Sequence, residues 1–351
     1  MLSYEYDVYR NEEFGSVFCK VSIEDFFKSG FALGDSVDVE FSTGYKIEDV
    51  PIYDGYYVKI DAPLVLTLTT SYTDVLVAYN YGPVLYDYLG LKQGDKCRIT
   101  LREKGKYKNV VDSIDVTYST NPDDYKCIED YTNFRPLNGG RLKKNYIYRS
   151  ASPCGKLFIR SDYVSKMFEK YHIAYAINLT DSEEIVDKIY NDKRLISEYW
   201  RKLYQNKKVC INRLKANYRT KEYGRLVAKL FRTIITLDEP NFAIHCYEGR
   251  DRTGLVCFIM QVLASCSSEE VEDEYMESFR CFNNISKHLD FNKYRVHREI
   301  YYDDFVRNVC RVDDINMSQE VLYEKVINYL TDICEMTLEE IDALTNKICE
   351  D

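Results

Sequence analysis

Two kinds of hydrophobic pattern divide the chain. In its first third, hydrophobic and polar residues alternate with a period of two, which is typical of strands that bury one face. Residues 34–41 and 94–101 show this most clearly, and both begin with Gly-Asp. Residues 56–60, 64–69 and 75–79 are rich in β-branched and aromatic side chains. These segments predict two related hairpins within a small all-β barrel or sandwich.

From about residue 126 the pattern becomes that of alternating helices and buried strands. Asn121-Pro122-Asp123-Asp124 is typical of a linker, so we predict a β-rich domain over residues 1–125 and a second domain over 126–351. Residues 190–220 are charged and irregular, which fits a lid or a solvated loop. The predicted elements of the second domain are a helix capped by Ser161 or Asp162 and ending at Lys170, a strand at 173–179, a helix at 221–237, a strand at 241–244, a buried helix at 255–264, a capping box at 267–270, and helices at 317–333 and 337–349. The fold class expected is an α/β domain with a short, mostly parallel sheet flanked by helices.

The most informative segment is His245–Gly254, which has the pattern H-C-x-x-G-x-D-R-T-G. It lies between the predicted strand at 241–244 and the predicted helix at 255–264. A strand, a tight loop and a helix N-terminus together form an anion site, because free backbone N–H groups and the helix dipole both favour negative charge. The segment therefore predicts a phosphate-binding loop. Its phosphate-binding members are Tyr247, Glu248, Gly249, Arg250, Thr253 and Gly254.

The residue types in this loop predict phosphoryl transfer. Cys246 is the predicted nucleophile, since a thiolate beside such N–H groups is stabilised. The planar fork of Arg252 can hold two oxygens of a phosphoryl group, and Gly249 lets the backbone turn. Thr253 can donate a hydrogen bond to the sulfur when it leaves. A chance cysteine and arginine beside a buried strand is the alternative, which the adjacent His245 argues against.

Other roles in the loop remain open at this stage. Asp251 is the predicted general acid and then general base, or else a carboxylate that braces the loop; Asp181, at the end of another strand, is its rival. Arg250 adds a cation that would favour substrates with extra phosphates, unless it pairs with Glu248 or Asp251. His245 is expected to support the end of the strand through the backbone near Cys246.

Composition narrows the class of protein further. A net charge of −10 argues against nucleic-acid binding and against a general attraction to anionic membranes. No apolar stretch is long enough for a membrane span, and the N-terminus shows no signal peptide. The 12 cysteines have no paired spacing and the four histidines are scattered. We therefore expect a cytoplasmic protein with reduced thiols and with no metal or cofactor.

The loop resembles the signature of cysteine-based protein tyrosine phosphatases. The closer resemblance is to bacterial tyrosine/lipid phosphatases whose loop reads H-C-x-x-G-K-D-R-T-G, although Arg250 replaces their lysine. Four further segments look like the same family in the same order: Asn-Phe-Arg-Pro-Leu-Asn-Gly-Gly at 133–140, Ile-Tyr-Arg-Ser at 147–150, Ala-Ile-Asn-Leu-Thr at 176–180 and Met-Thr-Leu-Glu-Glu-Ile at 336–341. The resemblance spans about residues 126–351.

The resemblance implies a metal-independent phosphomonoester hydrolase, and we expect a phosphotyrosine protein or peptide as its substrate. A phosphoinositide or inositol phosphate substrate, turned over by the same mechanism, is one alternative. A phospho-ligand binding module without turnover is another.

Overall fold

The chain forms two compact units. They comprise Met1–Val116 with Arg295–Ile300, and Thr117–Tyr294 with Tyr301–Asp351. The predicted boundary between residues 125 and 126 stays a prediction, and nothing in the sequence indicated that Arg295–Ile300 belongs with the first unit. The computed structural model describes residues 2–10, 16–69, 72–80, 82–114, 119–155, 160–192, 196–214 and 218–350.

The first unit is a closed seven-stranded barrel, so of the two predicted β architectures the barrel is the one found. Its elements in chain order are β1 (Ser3–Arg10), β2 (Val17–Ser22), α1 (Ile23–Lys28), β3 (Ser36–Phe41), β4 (Lys46–Tyr53), β5 (Pro63–Leu66), β6 (Asp74–Tyr79), α2 (Leu85–Tyr88), β7 (Lys96–Glu103) and α3 (Lys108–Ile114). The strands follow one another around the barrel in the order β1-β2-β6-β5-β4-β3-β7, and β7 closes it by pairing with β1.

Alternation along the strands fills the barrel interior. Val37, Val39 and Phe41 of β3 are all at most 2% exposed and belong to one apolar cluster. Each such side chain contributes roughly 1.5–3 kcal/mol through its removal from water. The strand predicted at residues 34–41 is present and forms a hairpin with β4, a strand that the sequence had not indicated. The second hairpin was wrong, because β7 pairs with β1 and β3 rather than with a strand next to it in the sequence.

The second unit combines a five-stranded sheet with helices. Its elements in chain order are a 3₁₀ turn (Pro122–Asp124), α4 (Ile128–Thr132), β8 (Arg135–Pro136), β9 (Ile147–Ser150), α5 (Ser161–Lys170), β10 (Tyr175–Asn178), α6 (Glu183–Asn191), α7 (Glu198–Gln205), β11 (Val209–Ile211), α8 (Lys221–Ile235), β12 (Phe242–His245), α9 (Asp251–Leu263), α10 (Ser268–Asn283), α11 (Phe291–His297), a π-helical segment (Arg298–Asp303), α12 (Asp304–Cys310), α13 (Gln319–Asp332) and α14 (Leu338–Ile348). The π-helical segment and the end of α11 include the residues assigned to the first unit.

The sheet is mostly parallel, as the sequence predicted. Its strand order is β11-β10-β12-β9-β8, with the first four parallel and β8 antiparallel to β9. All four residues of β12 are buried, which is why that stretch shows no alternation. Strand β12 therefore lies in the middle of the sheet, and the loop that follows it leaves at the central carboxyl edge.

Three local predictions in these units were wrong. Residues 56–60 contain no strand, although their composition favoured one. Neither Ser161 nor Asp162 caps α5, whose N-cap is Arg160 and makes no side-chain capping bond. The described part of 190–220 is not an irregular loop, because it contains α7 and β11, and Trp200 on α7 is fully buried. Residues 193–195 and 215–217 of that predicted loop lie outside the described residues.

Helix α9 is surrounded by packing partners, and its sequence is accordingly apolar on every side. Every residue from Thr253 to Leu263 is buried, so the helix is central to its unit rather than amphipathic. The predicted capping box at the start of α10 is present, with Ser267 and Glu270 bonding each other's backbone N–H groups. In the described part of the chain, no helix combines the length and the apolar character that crossing a membrane requires.

Candidate active site

The loop between β12 and α9 occupies the middle of the sheet's carboxyl edge. His245 ends β12 opposite Asn178 of β10 on one side and Ser150 of β9 on the other. Cys246 follows and is 3% exposed. Helix α9 begins at Asp251, earlier in the chain than predicted. The strand, loop and helix predicted around Cys246 thus occur in that order.

The backbone carbonyls of residues 247–250 are all bound by protein donors. Two of these donors are backbone N–H groups, and two are buried side chains from Asn133, at the end of α4, and Arg149, on β9. The bonds are Ser152 N to Tyr247 O, 3.0 Å; Asn133 Nδ2 to Glu248 O, 2.9 Å; Arg149 Nη2 to Gly249 O, 2.5 Å; and Gly254 N to Arg250 O, 2.7 Å.

The N–H groups of the same peptides face away from those donors. In a trans peptide the C=O of one residue and the N–H of the next point in opposite directions. Carbonyls held at residues 247–250 therefore direct the N–H groups of residues 248–251 to the other side of the loop. Among the described residues, none accepts a hydrogen bond from the N–H groups of residues 248–253. A row of such donors at a helix N-terminus is the arrangement that binds anions.

Two glycines allow the backbone to adopt this path. Gly249 has φ +74°, and a Cβ built there would lie 2.2 Å from the carbonyl oxygen of Ser150. Gly254, in the first turn of α9, would place a Cβ 2.6 Å from the ring of Tyr275. Larger residues at either position would push the loop off β9 or off α10.

Arg252 contacts the loop after β10, in which Asp181 lies. The Nη1 of Arg252 donates to the carbonyl of Leu179 at 3.2 Å. Two residues further on, the carboxylate of Asp181 accepts a bond from Asn178 Nδ2 at 3.0 Å, and Asn178 Oδ1 in turn accepts the N–H of Asp181 at 3.1 Å. The structure therefore brings the segment containing Asp181 next to Arg252, as parallel strand order requires.

Arg250 is engaged by its neighbours. Its Nε and Nη2 donate to the two carboxylate oxygens of Asp251 at 2.9 and 3.2 Å, and its Nη1 lies 3.1 Å from Glu248. Its guanidinium also lies over the rings of Phe279 and Tyr301, at 5.1 and 4.8 Å from their centroids. Burial opposes the charge, but Asp251 and Glu248 hold the pKa of Arg250 well above its usual value. Of the two interpretations left open for Arg250, the structure shows the pair.

His245 and Thr253 are both fully buried beside the loop. Burial, helped by the positive charge of Arg252, lowers the pKa of His245 to about 3, so its ring is neutral near pH 7. Within the described residues, no group makes a hydrogen bond with the hydroxyl of Thr253. A buried hydroxyl of this kind is free to serve an acceptor supplied by the reaction.

Four residues that brace the loop had no assigned role there at the sequence level. Asn133 and Arg149 lie in segments that the sequence had singled out, but Glu274 and Ser278 lie on α10, in a stretch with no motif. Glu274 forms an ion pair with Arg149, which is 0% exposed. Ser278 Oγ accepts bonds from Arg149 Nη2 at 3.1 Å and Asn133 Nδ2 at 3.3 Å. Arg135 completes the group by donating from Nε to Glu274 at 2.7 Å.

A possible metal-ligand group lies elsewhere, at Asp130, Glu277 and Cys281. Arg280 already pairs with this group, with both carboxylate oxygens of Asp130 at 2.7 and 2.8 Å and with Glu277 at 2.6 Å. The guanidinium supplies the positive charge that a cation would bring, so this cluster is an ion-pair network.

Comparison with known proteins establishes the family. Residues 127–350 match the tyrosine phosphatase family, so the chain belongs to that family. No curated protein matches the chain.

Two solved structures are similar to parts of the chain. One is an uncharacterized conserved protein from Thermotoga maritima, 21% identical with a TM-score of 0.25, covering 28% of this chain and 36% of that one. The other is the core catalytic domain of the PP-IP phosphatase SIW14 from S. cerevisiae in complex with citrate, 17% identical with a TM-score of 0.28, covering 50% of this chain and 94% of that one. This chain thus spans little more than a third of the Thermotoga maritima structure. Similarities this low carry no conclusion about substrate.

Proposed function

We propose that the chain hydrolyses phosphomonoesters through a cysteinyl-phosphate intermediate on Cys246. The observation that carries the proposal is the row of N–H groups at residues 248–253, which donate to no acceptor in the described protein and begin two residues after a buried cysteine. Arg252 lies in the first turn of the helix that these groups begin. Together they supply donors and positive charge for three phosphoryl oxygens.

The proposed reaction has two steps, transfer of the phosphoryl group to Cys246 and hydrolysis of the phosphocysteine. The thiolate of Cys246 attacks phosphorus, the S–P bond forms, and the P–O bond to the leaving group breaks while that oxygen takes a proton from a carboxylic acid. Water next attacks the phosphocysteine, giving its proton to the same carboxylate, and the S–P bond breaks to release phosphate and thiolate. The unpartnered hydroxyl of Thr253 is suited to donate to the sulfur as it leaves.

Asp251 is the proposed acid, with Asp181 as the alternative. Arg250 fixes the orientation of the Asp251 carboxylate, which is 45% exposed and so open to a substrate. Asp181 lies in the loop to which Arg252 is bonded, which keeps it close to the same site. Both carboxylates lie in segments that follow neighbouring parallel strands, β10 and β12. Kinetics with two leaving groups can show which of them is the acid.

Phosphotyrosine is the proposed substrate, on a protein or peptide. One argument for a polyphosphorylated substrate, such as an inositol phosphate or phosphoinositide, was that Arg250 supplies an additional free cation. That guanidinium is instead neutralised by Glu248 and Asp251 and covered by two rings. A non-catalytic binding module would not need a nucleophile, and Cys246, Arg252 and Thr253 are all retained. The proposal includes the cytoplasmic location expected from the sequence.

The test is turnover of p-nitrophenyl phosphate, phosphotyrosine peptides, phosphoinositides and inositol phosphates by wild type and Cys246→Ser. We expect a burst followed by steady turnover in wild type, and a loss of roughly a thousandfold or more in Cys246→Ser. Cys127→Ser is the matched control, because Cys127 is an exposed free thiol outside the loop. Activity that survives Cys246→Ser contradicts the mechanism, whereas selective turnover of inositol phosphates contradicts only the choice of substrate.

A further inference from the structure

We propose that Asn133 and Arg149 are positioning residues that turn the N–H groups of residues 249 and 250 toward the substrate phosphoryl group. This inference rests on the function proposed above. The two side chains do not face the substrate side of the loop. They bind the carbonyls of Glu248 and Gly249 from the opposite side, and the backbone geometry converts that contact into a direction for the N–H groups.

The alternative orientation of these peptides shows why the clamp matters. If the peptide joining residues 249 and 250 rotated by half a turn, it would present a carbonyl oxygen instead of an N–H to a phosphate. One donor would be lost and one repulsive dipole gained, in the place where charge develops during phosphoryl transfer. Gly249 has no Cβ to resist such a rotation, so the restraint has to come from outside the loop.

Arg149 supplies this restraint with little freedom to move. Its side chain is 0% exposed, and Nη2 donates to Gly249 O at 2.5 Å and to Ser278 Oγ at 3.1 Å. Nη1 forms an ion pair with Glu274, whose charge holds the pKa of Arg149 above its ordinary value against the effect of burial. A planar guanidinium fixed at both ends cannot follow a loop that shifts, so the loop is held to it.

Asn133 holds the neighbouring carbonyl from the end of a short helix. It is the C-cap of α4, with φ 51° and 0% exposure, and its Nδ2 reaches Glu248 O at 2.9 Å and Gly249 O at 3.3 Å. Its Oδ1 accepts a bond from Arg135, which fixes which end of the amide faces the loop. The amide is therefore oriented as a donor to the loop, a role that an aliphatic side chain of the same size could not fill.

Asn133→Gly gives the sharpest test, because glycine tolerates the left-handed backbone and only the amide is removed. Asn284→Gly is the matched control, since Asn284 is also a left-handed helix C-cap, with φ 55°, but is exposed and does not contact the loop. The probe is inorganic tungstate, a tetrahedral oxyanion, titrated calorimetrically well below the melting transition. We expect the Kd of tungstate to rise about tenfold and kcat to fall about a hundredfold in Asn133→Gly. The control should change neither.

Arg149→Lys should weaken tungstate binding at least as much, because an ammonium cannot hold Gly249, Ser278 and Glu274 together. If that variant does not fold, Ser278→Ala removes one hydroxyl from the same network and should raise the Kd in the same direction. A purely structural role would lower the melting temperature and leave the Kd of folded protein unchanged, and that result overturns the inference.

Two outcomes separate this inference from the proposed function. Wild type that binds tungstate but hydrolyses no phosphomonoester refutes the function, and the effect of Asn133→Gly on binding still decides the positioning role. Wild type that hydrolyses phosphomonoesters while Asn133→Gly behaves like Asn284→Gly refutes the positioning role alone. Wild type that neither binds nor hydrolyses refutes both, since the N–H groups then face no anion.

Discussion

The burial of a neutral histidine beside the proposed catalytic loop should make the protein sensitive to acid. His245 is 0% exposed, and its pKa is lowered from an ordinary 6.5 to about 3, mainly by burial. In the unfolded chain the same imidazole takes up a proton near pH 6.5. Between these two values the unfolded state binds more protons than the folded state, so stability rises with pH. The stability that depends on a neutral His245 is fully present above about pH 6.5 and is lost as the pH falls toward about 3.

The size of the effect follows from the two pKa values. A pH of about 5 lies about 1.5 units below the pKa of the imidazole in the unfolded chain. Each pH unit in this range changes the free energy of unfolding by about 1.4 kcal/mol. The folded state therefore loses about 2 kcal/mol relative to about pH 7.5 from this residue alone. Carboxylates titrate over part of the same range, so the quantity to measure is the difference between wild type and a variant that cannot titrate at this position.

Urea unfolding of wild type and His245→Asn near pH 7.5 and near pH 5 provides that difference. We expect wild type to lose about 2 kcal/mol more than the variant between the two conditions. His172→Asn is the matched control, because His172 is exposed with φ 51°, a conformation that asparagine tolerates well. It should follow wild type. If the free energy of unfolding changed equally with pH in wild type and His245→Asn, the imidazole would take up its proton in the folded state as it does in the unfolded chain. That result would refute the reasoning.

Two further predictions concern the loop itself. Asp251→Asn should lower kcat for phosphotyrosine about a hundredfold or more while changing p-nitrophenyl phosphate turnover much less, because the better leaving group needs no proton; the same selective loss in Asp181→Asn, with Asp251→Asn unaffected, would reassign the acid. Gly249→Ala should abolish activity and cost about 2 kcal/mol or more of stability in urea unfolding, because its Cβ would lie 2.2 Å from Ser150 O in a left-handed backbone. Full activity in that variant would mean that the loop does not lie against β9 as described.

The sequence could predict those parts of the fold that depend on short-range pattern. Strand β12 is a short apolar run and α9 a longer one, and a loop with a distinctive residue pattern joins them, so the three could be placed without tertiary information. The capping box at Ser267 is likewise local. Residues 56–60 have strand-like composition but no strand, because pairing along a barrel depends on partners that are distant in sequence.

The parts that could not be predicted are those in which a side chain meets a partner from another element. The sequence of helix α7 is charged and predicts an irregular segment. Its Trp200 is nevertheless fully buried, in a cluster with residues of α6 and of the segment after β9. Glu274 and Ser278 fall in an unremarkable acidic helix, and their function becomes visible only when α10 lies beneath the loop. Sequence spacing along α10 says which residues share a face, but not what that face meets.

Arg250 shows how this limitation bears on substrate. A cation beside a predicted phosphate-binding loop suggests, from the sequence alone, a substrate with additional phosphates. Acidic residues on both sides of it along the chain, Glu248 and Asp251, already offered ion-pair partners, and the rings of Phe279 and Tyr301 favour this arrangement by covering the guanidinium. Arginine suits this role better than lysine, because its planar fork can bind two carboxylates while its face lies on aromatic rings. Arg250 is therefore a brace for the start of α9, and under the proposed function Arg252 and the backbone N–H groups would hold a single phosphoryl group.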